Sequence, residues 1–198
     1  MLVRIFVALC LLVGLTTVPC GAEASPTDPA PPSAEAAAAS DAPPAVLGLP
    51  NERNPLRGVV SGGQPTEAML ARAASLGFRT VINLRTPPEA DRVPFDEPAA
   101  VEALGMTYIA LPIAGADDLH LDSVNALTQL LDDPARHPIL LHCGSGNRIG
   151  ALLALKAYHL DGAAVDEAMA IGEAGGLTRL APVVDALLTQ AADAAETP

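Results

Sequence analysis

The strongest chemical signal in the chain is the run His142-Cys143-Gly144-Ser145-Gly146-Asn147-Arg148-Ile149-Gly150. An apolar run from Pro138 to Leu141 leads into Cys143, and helical apolar spacing begins at Arg148. Gly144 and Gly146 let the backbone take positive φ and turn successive N–H groups toward one point. Together with the helix N-terminus that follows, this makes an anion site. Arg148 adds a planar fork matched to a tetrahedral oxyanion. The same field favours the thiolate of Cys143, which sets a nucleophile against the central atom of the bound oxyanion. A bare cysteine at a strand end is more often a small buried hydrophobe. The strand–Cys–Gly-x-Gly-x-Arg–helix setting reverses that reading here.

The surrounding residues supply elements to hold such a loop. Val59-Val60-Ser61 reads as a strand ending at Gly62-Gly63. Thr66 caps a helix with Met69, Ala73 and Leu76 on one face and Gly77 past its end. Arg79 to Leu84 is rich in β-branched residues and stops before Pro87-Pro88. A short helix spans Glu97–Leu104, a third strand Met106–Ile113, and Asp122 caps a helix running to Leu131. Pro138–His142 is a short buried strand, and helices follow over 148–160, 163–174 and 180–192. Strands alternating with helices predict an α/β fold: one domain over 55–190, with a short, largely parallel central sheet flanked by helices. Ligands bind such sheets where strand carboxyl ends meet helix amino ends, which is where Cys143 falls. Arg85, at the carboxyl end of the VINL strand, is a candidate pocket residue, a surface ion pair being the alternative. His120 is a candidate acid–base group or a surface histidine. His137 and His159 have no companions at metal-ligand spacing, so neither a metal nor another cofactor is expected.

HCGSGNR resembles the active-site loop of cysteine-dependent phosphatases of the tyrosine and dual-specificity superfamily. With VSGGQPT, GFRTVINLR and YIALPI, the likeness is to the bacterial phosphatase-like branch associated with β-lactamase-like hydrolases, over roughly 58–175. The resemblance implies a dual-specificity-phosphatase-like fold and metal-independent hydrolysis of phosphate monoesters, on a phosphorylated protein or a small molecule. Cys143 would carry a cysteinyl-phosphate. Arg148 and the loop residues Gly144, Ser145, Gly146 and Asn147 would hold the phosphoryl oxygens, and His142 would favour the thiolate. Asp117 or Asp118, in the loop after the third strand, would protonate the leaving oxygen. Their alternative is a solvated acidic turn.

Two features depart from that family pattern. Four residues separate Cys143 from Arg148, where the standard phosphatase loop has five. The same short loop occurs in the related bacterial branch and in rhodaneses. Ile149 also stands where phosphatases usually place Ser or Thr to assist thiolate departure. Sulfur transfer through a Cys143 persulfide is therefore the second enzymatic reading, and a non-catalytic anion-binding module the third.

Composition bounds the rest. The chain has 198 residues with 23 acids against 11 bases, a formal net charge of −12 that argues against nucleic acid as a partner. Positive mean hydropathy traces to alanine and to one leader. Arg4, the apolar run Ile5–Leu15 and Ala22-Glu23-Ala24 read as a cleavable export signal over 1–24. A periplasmic or secreted protein is expected, with no membrane span once the leader is removed. A retained N-terminal tether, or a lipoprotein at Cys20, is the alternative. Residues 25–54, dense in Pro and Ala, read as a disordered linker, and 191–198 as a flexible tail. After leader removal Cys143 is the only cysteine, so no disulfide explains it. The sequence leaves the oligomeric state open.

Overall fold

The structure is a computed structural model that describes residues 46–196. The expected leader, and the linker as far as residue 45, lie outside the described residues. Strands and helices alternate as β1 (Arg53–Leu56), β2 (Val59–Gly62), α1 (Glu67–Ser75), β3 (Thr80–Asn83), α2 (Pro87–Ala90), α3 (Glu97–Ala103), β4 (Thr107–Ala110), α4 (Leu121–Leu131), β5 (Ile139–His142), α5 (Asn147–His159), α6 (Val165–Ala174) and α7 (Ala181–Glu196). The strands form one five-stranded sheet in the order β1-β2-β5-β3-β4. Only the β1–β2 pair is antiparallel; β2, β5, β3 and β4 run parallel. The single α/β domain read from the sequence is thus the domain observed.

β5 lies between β2 and β3 and is buried along its whole length, which is why it is apolar on both faces. Side-chain alternation then decides what each residue near the loop meets. Ile139, Leu141 and Cys143 enter the core shared with α4, α5, α6 and α7, while Leu140 enters the opposite core with α1 and α3. His142 shares the Leu140 side. The register Gly62↔His142↔Asn83 brings the carboxyl ends of β2, β5 and β3 level. All that follows in the site is built on that edge.

α5 and α6 approach closely through glycine. A Cβ on Gly150 would lie 2.1 Å from the Leu177 amide nitrogen and 2.5 Å from the Gly172 carbonyl oxygen. Both obstacles are backbone, so neither can rotate away. Gly150→Ala is expected to destabilise the fold by about 3 kcal/mol, read as a fall in the urea midpoint with the slope unchanged.

The boundaries differ from expectation at both ends and in the middle. Residues 47–54, assigned to the linker, belong to the body. Leu47 and Leu49 are buried beside Val60 and Leu70, and the Glu52 carboxylate accepts the N–H groups of Leu47, Gly48 and Leu49 at 2.6–3.1 Å. β1 follows directly. α7 continues to Glu196, so residues 191–196 are helical rather than frayed. Pro87-Pro88 does more than end a strand: the pair opens α2, a position proline tolerates because first-turn amides need no intrahelical partner. α4 starts one residue early and is capped by His120, whose Nδ1 accepts the Ser123 N–H at 3.4 Å. Asp122 is therefore not the cap, and His120 serves the helix.

Candidate active site

Gly146 takes φ +88 and turns the chain from the loop into α5. Its N–H donates to Cys143 Sγ at 3.1 Å. The Cys143 side chain sits at the floor of this turn, with the residue 1% exposed. Its own N–H is taken by the Gly62 carbonyl at 3.2 Å, so the loop is anchored to β2 while the sulfur faces inward. The first intrahelical bond of α5 is Gly150 N–H to Gly146 O at 3.1 Å. The amides of Asn147, Arg148 and Ile149 precede it and present the positive end of the helix at the loop. On the far side Ser145 bridges to Gly63. That approach needs glycine, because a Cβ on Gly63 would stand 2.9 Å from the Gly144 carbonyl oxygen.

Arg148 is held from the opposite side. Nη1 donates to Glu89 Oε2 at 2.7 Å and to the Ile113 carbonyl at 2.6 Å, and Nη2 donates to Glu89 Oε1 at 2.7 Å. This end-on fork leaves the edge with the Nε–H and the second Nη2 hydrogen outside the Glu89 pairing, and the guanidinium also hydrogen-bonds the Cys143 side chain. Nη2 lies 3.5 Å from where a Cβ on Gly144 would be, so that edge borders the loop. The hydrogen bond with Glu89 is the main cause that raises the Arg148 pKa; burial opposes it, and nearby Cys143 raises it further. The guanidinium therefore stays charged across the ordinary pH range.

Glu89 responds in turn. The Arg148 hydrogen bond is the main cause that lowers its pKa from 4.5 to about 2, burial opposing, with the Thr86 backbone and hydroxyl adding to the lowering. A carboxylate depressed on folding contributes stability that is complete above its unfolded value and lost as pH falls through its folded value. Glu89→Gln is thus expected to be less stable than the natural protein at neutral pH. The gap should narrow as pH falls from 4.5 toward 2. Urea midpoints at pH 7 and about pH 3 check this.

The structure redistributes several of the expected site residues. Cys143, Gly144, Ser145, Gly146 and Arg148 form the loop as anticipated. Asn147 does not turn its side chain to an anion: Oδ1 accepts the N–H of Thr178 at 2.8 Å, its hydroxyl at 3.1 Å and the Leu180 N–H at 3.3 Å. Its amide remains in the helix first turn, while its carboxamide ties the loop to the start of α7. His142 is fully buried, with Nε2 3.0 Å from Glu97 Oε1. It lies behind the loop, so a direct contact between its ring and substrate is ruled out. Arg85 is neither a surface ion pair nor free in the pocket. Its guanidinium donates to Gln64 Oε1 and the Glu89 carbonyl, and its amide donates to Asn83 Oδ1 at 2.7 Å. Asp118 Oδ2 accepts the Ala114 N–H at 2.6 Å and closes its own loop. Asp117 is exposed on the turn Ala116–Asp118 and has no side-chain partner among the described residues. Ile149 is fully buried in the core that also contains Cys143. The sulfur's donor is accordingly the Gly146 amide rather than a hydroxyl at position 149.

Glu89, Glu97 and Gln64 are the residues that motif reading misses. Thr86-Pro87-Pro88-Glu89 carries the T-x-x-E pattern of a capped helix start, a signal that places α2 and with it Glu89. Nothing local points to Glu97.

Comparison with known proteins decides the family. Residues 51–178 match the family model described as DSP-PTPase phosphatase fused to NAD+ kinase. The chain belongs to that family. A beta-lactamase hydrolase-like protein of Xylella fastidiosa is 32% identical over 117 residues, covering 58% of this chain and 26% of the relative. The chain thus spans about a quarter of the curated relatives it matches. Among solved structures, a DUF442 protein from Shewanella putrefaciens has a TM-score of 0.56 at 22% identity, covering 75% of this chain and 95% of its own. The protein nma1982 of Neisseria meningitidis has a TM-score of 0.55 at 24% identity, covering 67% of this chain and 95% of its own. These two share the fold. The family match covers the loop, Glu89 and Glu97, and ends at Thr178, whose N–H meets Asn147.

Proposed function

We propose that the chain is a cysteine-dependent phosphatase that hydrolyses phosphate monoesters through a cysteinyl-phosphate on Cys143. The observation that carries this reading is the pairing of Cys143 Sγ, facing the Gly146 amide, with an Arg148 guanidinium that Glu89 holds by two nitrogens beside it. A phosphoryl group seated on the loop amides and the remaining edge of the guanidinium presents phosphorus to sulfur. The thiolate forms the S–P bond as the P–O bond to the leaving group breaks, and the departing oxygen takes a proton from an acid. Water then attacks phosphorus, releasing inorganic phosphate and restoring the thiolate. No metal enters these steps.

The acid belongs to the loop that follows Ile113. Arg148 holds the start of that loop through the Ile113 carbonyl, and Asp118 folds it back on Ala114. Asp117 is the carboxylate left uncommitted, so we assign it the proton transfer and give Asp118 the loop. Asp117→Asn should slow alkyl phosphates about a hundredfold while sparing activated aryl phosphates. Asp118→Asn should affect both alike. A leaving-group series on the two variants checks the assignment; equal losses for Asp117→Asn on both substrate types remove it.

Substrate and compartment follow from other features. The open candidates are a phosphorylated protein and a small phosphate ester. Export rests on Arg4, the Ile5–Leu15 run and the Ala22-Glu23-Ala24 site, and among the described residues no helix is long and apolar enough to cross a membrane. Sulfur transfer retains one argument, the four-residue gap between Cys143 and Arg148. Purified protein assayed against an aryl phosphate, and against thiosulfate with cyanide, separates the two. Phosphate release that Cys143→Ser abolishes supports the phosphatase; thiocyanate formation without phosphate release overturns it.

A further inference from the structure

Behind the catalytic loop, on the side of the sheet away from Cys143, lies a buried polar network that the reaction as described leaves unused. Its centre is the Glu97 carboxylate, 3% exposed. Oε1 accepts from Gln64 Nε2 at 3.0 Å, and Oε2 accepts from Asn83 Nδ2 at 3.1 Å. His142 Nε2 stands 3.0 Å from Oε1 in ion-pair contact, although the ring is not aligned for a regular hydrogen bond. Asn83 also donates to the Tyr108 hydroxyl at 2.9 Å. Gln64 passes the connection to Arg85, Arg85 to the Glu89 carbonyl, and Glu89 to Arg148. One continuous polar path thus runs from the residue before the nucleophile to the guanidinium at the other end of the loop.

A carboxylate at this depth is costly unless it is paired and hydrogen-bonded. Two side-chain amides satisfy hydrogen bonds, but they do not supply charge. The cations near Glu97 are His142 when protonated, in direct contact, and Arg85 through Gln64. We propose that Glu97 is a positioning residue for the phosphatase reaction, acting through His142: it is the buried counter-charge in contact with the imidazole behind Cys143 and fixes the strand end from which the nucleophile projects. The inference rests on the phosphatase reading for its effect on turnover, and on geometry alone for its effect on the thiol.

The sign of the electrostatic effect follows from the order of the groups. His142 adjoins Cys143 in the chain, and Glu97 lies beyond the imidazole. The nearer charge dominates, so the intact pair presents net positive character to the sulfur. The other ionisable groups around the pair are Tyr108 on β4, Asp96 at the cap of α3 and Arg85 after β3. The Tyr108 pKa is raised, by burial first and by Glu97 and Asp96 among the lesser causes, so its phenol stays neutral in the assay range. With a neutral amide at position 97 the imidazole loses its buried counter-charge, and the positive character behind the sulfur falls.

The test measures the pH dependence of kcat/KM for an aryl phosphate and the pH dependence of Cys143 alkylation by iodoacetate, in the natural protein, Glu97→Gln and His142→Asn. Expected for Glu97→Gln is a loss in kcat/KM of about tenfold at pH 6, with the acid limb and the alkylation midpoint both moved to higher pH. Inhibition by inorganic phosphate should stay within about threefold, because the loop amides and Arg148 are untouched. His142→Asn should give the same shift, and the double variant should add nothing to it. If Glu97→Gln does not fold, His142→Asn carries the alkylation test alone. Unchanged profiles in a folded variant overturn the proposal. If the natural protein releases no phosphate, the phosphatase reading fails, and the alkylation shift still decides whether Glu97 governs the thiol.

Discussion

Cys143→Ser is expected to lower kcat for an aryl phosphate by about 10⁵-fold while leaving phosphate binding nearly intact. A serine hydroxyl stays protonated at neutral pH and needs a neighbouring base to become a nucleophile. The site offers none. His142 lies on the opposite side of the sheet, engaged with Glu97, and Glu89 is tied to Arg148. The Gly146 amide that faces the sulfur can stabilise an anion but cannot take a proton. Binding survives because the helix first turn and the Arg148 edge are independent of the atom at the floor of the loop. Initial rates and calorimetric titration with inorganic phosphate measure the two properties separately. A serine variant that turns over at a tenth of the natural rate would move the nucleophile elsewhere.

Arg148→Lys carries the second large effect, a fall in kcat/KM of about 10³-fold. The arginine performs two tasks with one planar group: the end-on fork engages Glu89, and the remaining edge faces the loop. An ammonium is a point charge and cannot divide its donors this way. It either follows Glu89 and abandons the phosphoryl oxygens or the reverse. The Ile113 carbonyl also loses its 2.6 Å donor, which frees the start of the acid loop. The loss should appear in both kcat and KM, since the same edge serves the ground state and the transition state. Steady-state kinetics with a phosphate inhibition constant check this; a loss confined to KM would mean that the edge binds substrate without stabilising the transfer.

The part of the site readable from sequence is the part that is local. Cys143, Gly144, Gly146 and Arg148 lie within one turn, and the strand before them and the helix after them have strong periodicity. Backbone direction alone converges their groups. Asn147 shows the limit: its place in the loop is right, but the direction of its carboxamide depends on the Thr178–Leu180 turn, which is distant in sequence. Arg85 fails for the same reason, because Gln64 and Glu89 claim its guanidinium. Glu89 and Glu97 look like any surface acids in a chain with net charge −12. Only the packing of α2 and α3 over the strand ends makes them partners of a cation and of a buried ring. The early start at Leu47 escaped because a Pro- and Ala-rich composition continues almost to the residues that Glu52 clamps. The alternation of strand and helix, in contrast, placed the sheet edge correctly, since every parallel strand carries its own β-branched or apolar run.

The global charge also takes on a different meaning at the site. Acidic residues outnumber basic ones about two to one, yet residues 143–148 carry no acid and one base, Arg148. Glu89 takes one hydrogen from each Arg148 Nη, which leaves donors on the Nε side for a ligand. Ile149, buried in the core beside Cys143, bears on timing. With no hydroxyl after Arg148 to assist the departing thiolate, the Gly146 amide is the donor to sulfur. Breakdown of the intermediate should be slow relative to its formation, and the covalent species should accumulate.

That accumulation allows a direct measurement. The protein is mixed with excess aryl phosphate, quenched in acid within the first turnovers, digested, and the peptide containing Cys143 is examined by mass spectrometry. The predicted result is a phosphoryl group on Cys143, formed in a burst of phenol release and absent from Cys143→Ser. Steady phosphate release with Cys143 unmodified at every quench time, or a persulfide on Cys143 in a protein that releases no phosphate, would contradict the account.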